Sequence, residues 1–257
     1  MSFSPADWHT RFSQQARWTQ ELRKYLYTNA GLSSAQRVLD VGCGTGALFK
    51  ELISNYQVKL IGLDINRSFI SCAQLTNSSV MLLSGDAHHL PFADRSFDVC
   101  LCHFLLLWVE NPIRVLEEMV RLTRLGGTVL AIAEPDYGGR VDYPPELESL
   151  GVLQEESLRQ QGADTRLGRR LVAMFKEVGL KTIEYGVLGG QWGLSPAAED
   201  WQIEWDVLRA DLEIVSSQGN IAPSQAELDE LVSLDRIASL RGERVLFVPT
   251  FYAWGRV

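Results

Sequence analysis

Seven residues, Asp40-Val41-Gly42-Cys43-Gly44-Thr45-Gly46, carry the densest chemical signal in this chain. They lie where a short apolar run, Val38 to Val41, turns into a helix. Glycines at such a junction let a ligand pass close to the backbone and leave helix N–H groups free for it. Gly42, Gly44 and Ala47 also satisfy the relaxed dinucleotide pattern G-x-G-x-x-G/A, a weak signal alone, and a turn with no ligand fits the glycines too. Asp40 stands two residues before the first glycine. A carboxylate there repels a pyrophosphate but can orient an ammonium group, directly or through water. Asp64 ends the next apolar run, eighteen residues past Gly46. From that place a carboxylate can accept both ribose hydroxyls of an adenosine ligand. The block Gly85-Asp86-Ala87-His88-His89-Leu90-Pro91-Phe92 follows a third run. There Asp86 can accept an adenine amino group and the Ala87 amide can meet a ring nitrogen.

Other residues admit two readings. His103 follows the Cys100–Cys102 strand at its C-terminal end, the edge where open α/β sheets bind ligands. It reads as facing the ligand, or more sharply as a general base. Glu134, next to Pro135-Asp136-Tyr137, ends another strand at the same edge; a site role and a capping role fit equally. His88 and His89 read as solvated loop residues. Trp201 and Trp205, four apart, read as core before substrate wall, and Arg166, Arg169 and Arg170 as a solvated helix start before an anion anchor.

The elements that must position these groups alternate. A helix is expected over Pro5 to Asn29, with Gly31 as its stop. Strands then fall at Val38–Val41, Val58–Asp64, Val80–Leu83, Phe97–Cys102 and Thr128–Ala133. Helices fall at Ala47–Ser54, Arg67–Leu75 and Asn111–Thr123, the last opened by Asn111-Pro112 and ended by Gly126-Gly127. Strand–helix repetition predicts a doubly wound parallel sheet. Pro135 to Asp164 breaks the rhythm and reads as a lid or binding loop. A helix at Leu167–Val178 and a strand at Lys181–Val187 follow. Next come a Gly/Trp turn at 189–193 and a helix from Ser195-Pro196 with Trp201, Trp205, Leu208, Leu212 and Val215 on one stripe. A helix opened by a Ser224/Glu227 capping box precedes a last strand, Val245–Trp254.

Composition narrows the partners. The chain has 257 residues, 46% hydrophobic and 22% charged, as a globular domain does. Its net charge of −8 disfavours nucleic acid, whose phosphates favour basic faces. No apolar run is long enough for a membrane span, and no secretion signal is seen. The four cysteines show no zinc spacing and read as reduced thiols of a cytoplasmic protein. No metal site is expected.

Leu39 to Gly46, Leu63-Asp64, Gly85 to Phe92, Phe97-Asp98 and Leu125-Gly126-Gly127 together resemble the motifs of class I S-adenosylmethionine-dependent methyltransferases. The similarity points to the small-molecule enzymes of ubiquinone and menaquinone biosynthesis. It covers roughly Arg37 to Glu134, and Leu125 stands where many members carry proline. The resemblance implies a Rossmann-like seven-stranded sheet of order 3-2-1-4-5-7-6 with the last strand antiparallel. It implies an N-terminal helical segment (1–35) over the cofactor site and a methyltransferase domain (36–257) with a lid loop (135–165) and a helical insertion (189–243). It implies S-adenosyl-L-methionine as cofactor and S-adenosyl-L-homocysteine as product. Gly42, Cys43, Gly44 and Gly46 would wrap the methionine part and Asp40 its ammonium. Asp64 would hold the ribose, Ile65 would pack on the adenine, and Asp86 and Ala87 would bind its edge. His103 would lie near the sulfonium, and Arg17 would pair with the cofactor carboxylate. If the acceptor needs a base, His103, Glu134 or Asp136 would serve. The acceptor is expected to be a small, apolar or aromatic molecule, walled at the C-terminal edge by the N-terminal helix, the 135–164 segment and the cap, with Tyr137, Tyr143, Trp192, Trp201 and Trp205. Oligomeric state is left open. Two rivals stand beside this reading: a non-catalytic protein that binds the same cofactor, and an NAD-dependent oxidoreductase, which Asp40 and the Gly85–Phe92 block oppose.

Overall fold

The computed structural model describes residues 3–188, 198–217 and 223–257. Two compact units share the chain. One, built from 2–134, 167–188 and 250–257, carries the sheet; the other takes 135–166 and 189–249.

The sheet unit begins with helices α1 (Pro5–Trp18) and α2 (Gln20–Ala30). The single helix expected here is thus broken at Thr19, and Gly31 ends α2 as the spacing predicts. Strands β1 (Arg37–Val41), β2 (Lys59–Asp64), β3 (Met81–Ser84), β4 (Phe97–Cys102) and β5 (Thr123–Pro135) follow, with helices α3 (Phe49–Asn55), α4 (Arg67–Thr76) and α5 (Pro112–Leu122) between them. Strands β1, β4 and β5 are buried along nearly their whole lengths, the mark of a parallel sheet covered on both faces. Asn111 caps α5 by accepting from the Arg114 amide at 3.0 Å, with Pro112 in the first turn.

Leu125-Gly126-Gly127 does not end a helix. The register jumps from Phe97↔Thr123 to Val99↔Thr128, so these residues form a bulge inside β5. A Cβ on Gly127 would stand 2.7 Å from the Asp98 carbonyl oxygen, so only glycine lets the bulge close on β4.

The second unit contains β6 (Val141–Tyr143) and α6 (Glu148–Gln160). The stretch expected as an irregular lid therefore forms regular structure; Leu147, Leu150 and Leu158, buried at helical spacing, were its signal. Helix α7 (Leu171–Glu177) and β7 (Lys181–Val187) return to the sheet unit. Helices α8 (Ala198–Ser217) and α9 (Gln225–Arg241) belong to the second unit, and the Ser224/Glu227 capping box opens α9. The expected Gly/Trp turn, Trp192 and the Ser195-Pro196 start lie outside the described residues. Trp205, Leu208 and Leu212 pack with Leu147 and Leu150, and both Trp201 and Trp205 donate their indole N–H to Asp235, at 2.5 and 2.9 Å. These two tryptophans are core.

The expected strand Val245–Trp254 is two strands. β8 (Val245–Phe247) pairs antiparallel with β6 in the second unit, and β9 (Thr250–Arg256) enters the sheet. The sheet order is β3-β2-β1-β4-β5-β9-β7, with β9 antiparallel to β7. This is the 3-2-1-4-5-7-6 order, once β7 and β9 are counted as the sixth and seventh sheet strands.

Candidate active site

All the candidate groups of the sheet unit but Arg17 lie just beyond or at the C-terminal ends of β1 to β5. The glycine turn is tied to its neighbour: Gly42 and Cys43 both donate to the Leu63 carbonyl, at 2.8 and 3.0 Å. Gly42, Gly44 and Gly46 all have left-handed backbones, with φ of 70°, 54° and 79°. A Cβ on Gly44 would stand 3.0 Å from the Phe12 ring of α1, and one on Gly46 2.5 Å from Phe49. The close packing of the fold itself therefore demands these glycines. Helix α1 reaches the turn a second time through His9, whose Nδ1 lies 2.9 Å from the Thr45 hydroxyl. Cys43 is buried in the turn, which pushes its thiol well up; all four cysteines are free thiols.

Asp40 is 2% exposed, and no hydrogen bond reaches its carboxylate among the described residues. Burial, with Asp64 nearby, pushes it up to about 8. A buried carboxylate without a donor is costly, and a cation beside it would relieve the cost. That is the property a cofactor ammonium would use.

Asp64 accepts from the Gly44 and Asn66 amides, both at 2.8 Å, one on each oxygen. Burial nonetheless raises its carboxyl, and each oxygen keeps a lone pair for a hydroxyl. Ile65 beside it is 73% exposed, an apolar surface at the place where an adenine would rest. Asp86 is half exposed. Its Oδ1 accepts from the His88 amide at 2.9 Å and lies 2.7 Å from His88 Nδ1, which holds the acid below its usual range. His88 Nε2 accepts from the Asn111 amide at 3.2 Å, so its proton is on Nδ1. His88 is a positioned residue rather than a solvated one. Ala87 is buried next to it.

The two catalytic candidates behave differently from bases. Glu134 is fully buried, and its oxygens accept from the Leu105, Leu106 and Leu107 amides at 3.1, 3.0 and 3.2 Å. It caps the turn Leu106–Trp108. Burial raises it to about 7 while those three amides pull it down. These three backbone N–H groups hold the carboxylate in a capping role. His103 directly follows β4, whose Cys102 is level with Val41, and its Nε2 lies 3.1 Å from the Thr19 hydroxyl. Burial and the Arg23 charge lower it to about 3, which makes it a feeble base at neutral pH. Asp136 is buried in the second unit.

Arg17 is exposed on the last turn of α1. Among the described residues the sheet unit buries two arginines, Arg11 on α1 and Arg23 on α2, and Arg23 pairs with Glu51 and donates to Thr19. Arg23 was missed from sequence. Its signal was a charge on the buried face of α2, in step with Leu26, Tyr27 and Ala30.

Among the described residues no group of acidic, histidine or cysteine side chains could hold a metal ion, and no helix is long and apolar enough to cross a membrane.

A family profile described as a methyltransferase domain matches residues 39–131, the stretch that holds the glycine turn, Asp64, Asp86 and His103. A demethylmenaquinone methyltransferase of Bacillus pumilus is 30% identical over 196 residues, covering 68% of this chain and 81% of its own length. One from Renibacterium salmoninarum is 33% identical over 122 residues; the match covers 47% of this chain and about half, 51%, of that relative. Among solved structures, the cyclase SpnF superposes with a TM-score of 0.58 at 18% identity, covering 92% of this chain and 80% of its own, a likeness of fold alone. With the sheet order and the motif geometry, these similarities place the chain in the class I S-adenosylmethionine-dependent methyltransferase family.

Proposed function

We propose that this protein methylates an oxygenated, ring-bearing small molecule of the demethylmenaquinone kind, using S-adenosylmethionine. The observation that carries the cofactor side is Asp40, a buried carboxylate with no donor among the described residues, set beside a glycine turn and Asp64. In this reading Asp40 holds the ammonium, Asp64 accepts the ribose hydroxyls, Ile65 lies along the adenine, and Asp86 with the Ala87 amide takes its polar edge. Arg17, exposed on the last turn of α1, would pair with the cofactor carboxylate. The bound cofactor supplies a methyl group already activated by a sulfonium charge. The chain's own work is alignment and exclusion of water. The low basicity of His103 and the capping job of Glu134 support a transfer without a protein base, to an acceptor that arrives as a nucleophile. The names of the two relatives support the acceptor class.

The test is transfer of labelled methyl from S-adenosylmethionine to demethylmenaquinone, to simple quinols and to unrelated amines, with S-adenosylhomocysteine release measured in parallel. Transfer to the quinol ring alone is the expected outcome. Transfer to amines in its place would overturn the acceptor class. Cofactor binding with no turnover on any acceptor would favour a binding protein, a real alternative because fold and pocket do not fix activity.

A further inference from the structure

We propose that Arg23 and Thr19 are positioning residues that lock His103 as the Nδ1–H tautomer, so that its ring donates a hydrogen bond to an oxygen of a bound ligand. This rests on the reading of the sheet edge as a methyl-transfer site, but the lock itself exists in the ligand-free chain.

The argument is one of donors and acceptors. A guanidinium has donors only. Arg23 Nη1 donates to the Ala16 carbonyl and, at 2.5 Å, to the Thr19 hydroxyl oxygen. Its Nε and Nη2 are turned to the Glu51 carboxylate, which fixes the group in place. Thr19 is fully buried, so its own proton must find a partner within the protein. Two oxygens or nitrogens are within reach: the Ala16 carbonyl at 3.3 Å and His103 Nε2 at 3.1 Å. The carbonyl keeps a second lone pair, but Nε2 is the nearer partner, and with the Arg23 guanidinium on Thr19 a bare ring nitrogen is favoured there over an N–H. Nε2 therefore accepts the Thr19 proton, and a ring nitrogen that accepts carries no hydrogen. The neutral ring must then bear its hydrogen on Nδ1.

A second proton is opposed from two sides. A proton on Nε2 would turn an N–H, in place of a lone pair, toward Thr19 and the Arg23 guanidinium behind it, which the positive charge opposes. Phe104, whose ring centre is 4.6 Å from that of His103, adds an apolar wall. Nδ1 itself has no hydrogen bond among the described residues, yet it is not fully sealed in, since the largely buried His103 keeps a little of its surface exposed. An N–H fixed in direction, neutral and unpaired, at the ligand edge of β4, fits an oxygen lone pair. Two ligand oxygens share that chemistry: the cofactor carboxylate and an oxyanion of the acceptor.

Nitrogen-15 spectra of the full-length protein with labelled histidine test this. The four histidines are His9, His88, His89 and His103, and a His103→Gln sample assigns the signal. His88, held as an Nδ1–H ring by Asp86 and Asn111, is the internal control. The expected result at neutral pH is a protonated Nδ1 and a bare Nε2 for His103. Thr19→Val, which keeps the shape and removes the hydroxyl, should mix the two tautomers; Thr19→Ser should restore the single one. In turnover, Thr19→Val should lower kcat about tenfold, the value of one hydrogen bond of about 1.4 kcal/mol, with the KM for cofactor unchanged if the oxygen is the acceptor's. A raised KM and a shift of the Nδ1 signal on adding S-adenosylhomocysteine alone would assign the oxygen to the cofactor. A protonated Nε2, or a charged ring, in the wild-type protein would overturn the proposal. So would an unchanged tautomer in Thr19→Val. If that variant does not fold, the wild-type spectrum and Thr19→Ser still decide. A locked tautomer in a protein that transfers no methyl group would refute the function and leave the lock intact.

Discussion

Replacing Asp40 with asparagine should make the ligand-free protein more stable and its cofactor binding worse. The carboxyl is ordinarily half-ionised near 3.8, but burial moves it to about 8. The unfolded chain therefore releases this proton four pH units before the folded one. Each unit is worth about 1.4 kcal/mol. Below about pH 4 both states hold the proton, and asparagine confers no advantage. As the pH rises the wild-type fold loses ground by about 1.4 kcal/mol per unit, and the loss levels off above about pH 8. At pH 7 the Asp40→Asn protein should be ahead by up to about 4 kcal/mol, on the order of 10 °C in Tm for a chain of this size. The same change removes the charged partner of an ammonium, worth about 1.5–3 kcal/mol, or roughly ten- to a hundredfold in affinity. Urea unfolding at pH 4.5 and pH 8, with calorimetry of S-adenosylmethionine binding at pH 7, reads both halves. A stability gap that does not widen with pH would refute the assignment of strain to Asp40, and wild-type affinity in the variant would refute its partner.

Further outcomes follow from the same geometry. In the wild-type protein, cofactor binding should release a proton below about pH 8, so affinity rises with pH up to that point; calorimetry in buffers of different ionisation heat measures it, and Asp40→Asn should abolish it. Asp64→Ala should lower cofactor affinity at least about tenfold, since a charge-assisted acceptor of hydroxyls is lost together with the tie to the Gly44 amide. Glu134→Gln should set an NH₂ against a backbone N–H and lower stability by about 1–3 kcal/mol in urea unfolding, while the pH profile of kcat keeps its shape; a lost acidic limb in that profile would restore Glu134 as a base.

Much of both units was legible because their signals are local. Apolar runs broken by glycine marked β1 to β4, and Asn111-Pro112 and Ser224/Glu227 marked two helix starts through contacts three residues apart. The glycine turn, Asp40 and Asp64 were readable from their spacing, since each sits at the end of a strand whose length the apolar run defines. Helix α6 was also written in Leu147, Leu150 and Leu158, but Tyr143-Pro144-Pro145 obscured it.

Amino-acid order by itself determined the parallel sheet, its C-terminal edge and the acidic residues along it, because strand periodicity and strand ends are properties of neighbours in the chain. Tertiary structure alone decided what the polar groups at that edge do. Glu134 meets Leu105 to Leu107 across nearly thirty residues of sequence, and Thr19 meets His103 across 84, contacts that exist only through the register of β1 with β4 and β4 with β5 and the way α2 lies beside them. The same holds for Val245 to Trp254, a single apolar run in sequence, which pairs first with β6 and then with β7. A side chain's proton affinity depends on which donors, charges and walls surround it, and those come from residues that are distant in the chain and brought together only when the sheet has formed.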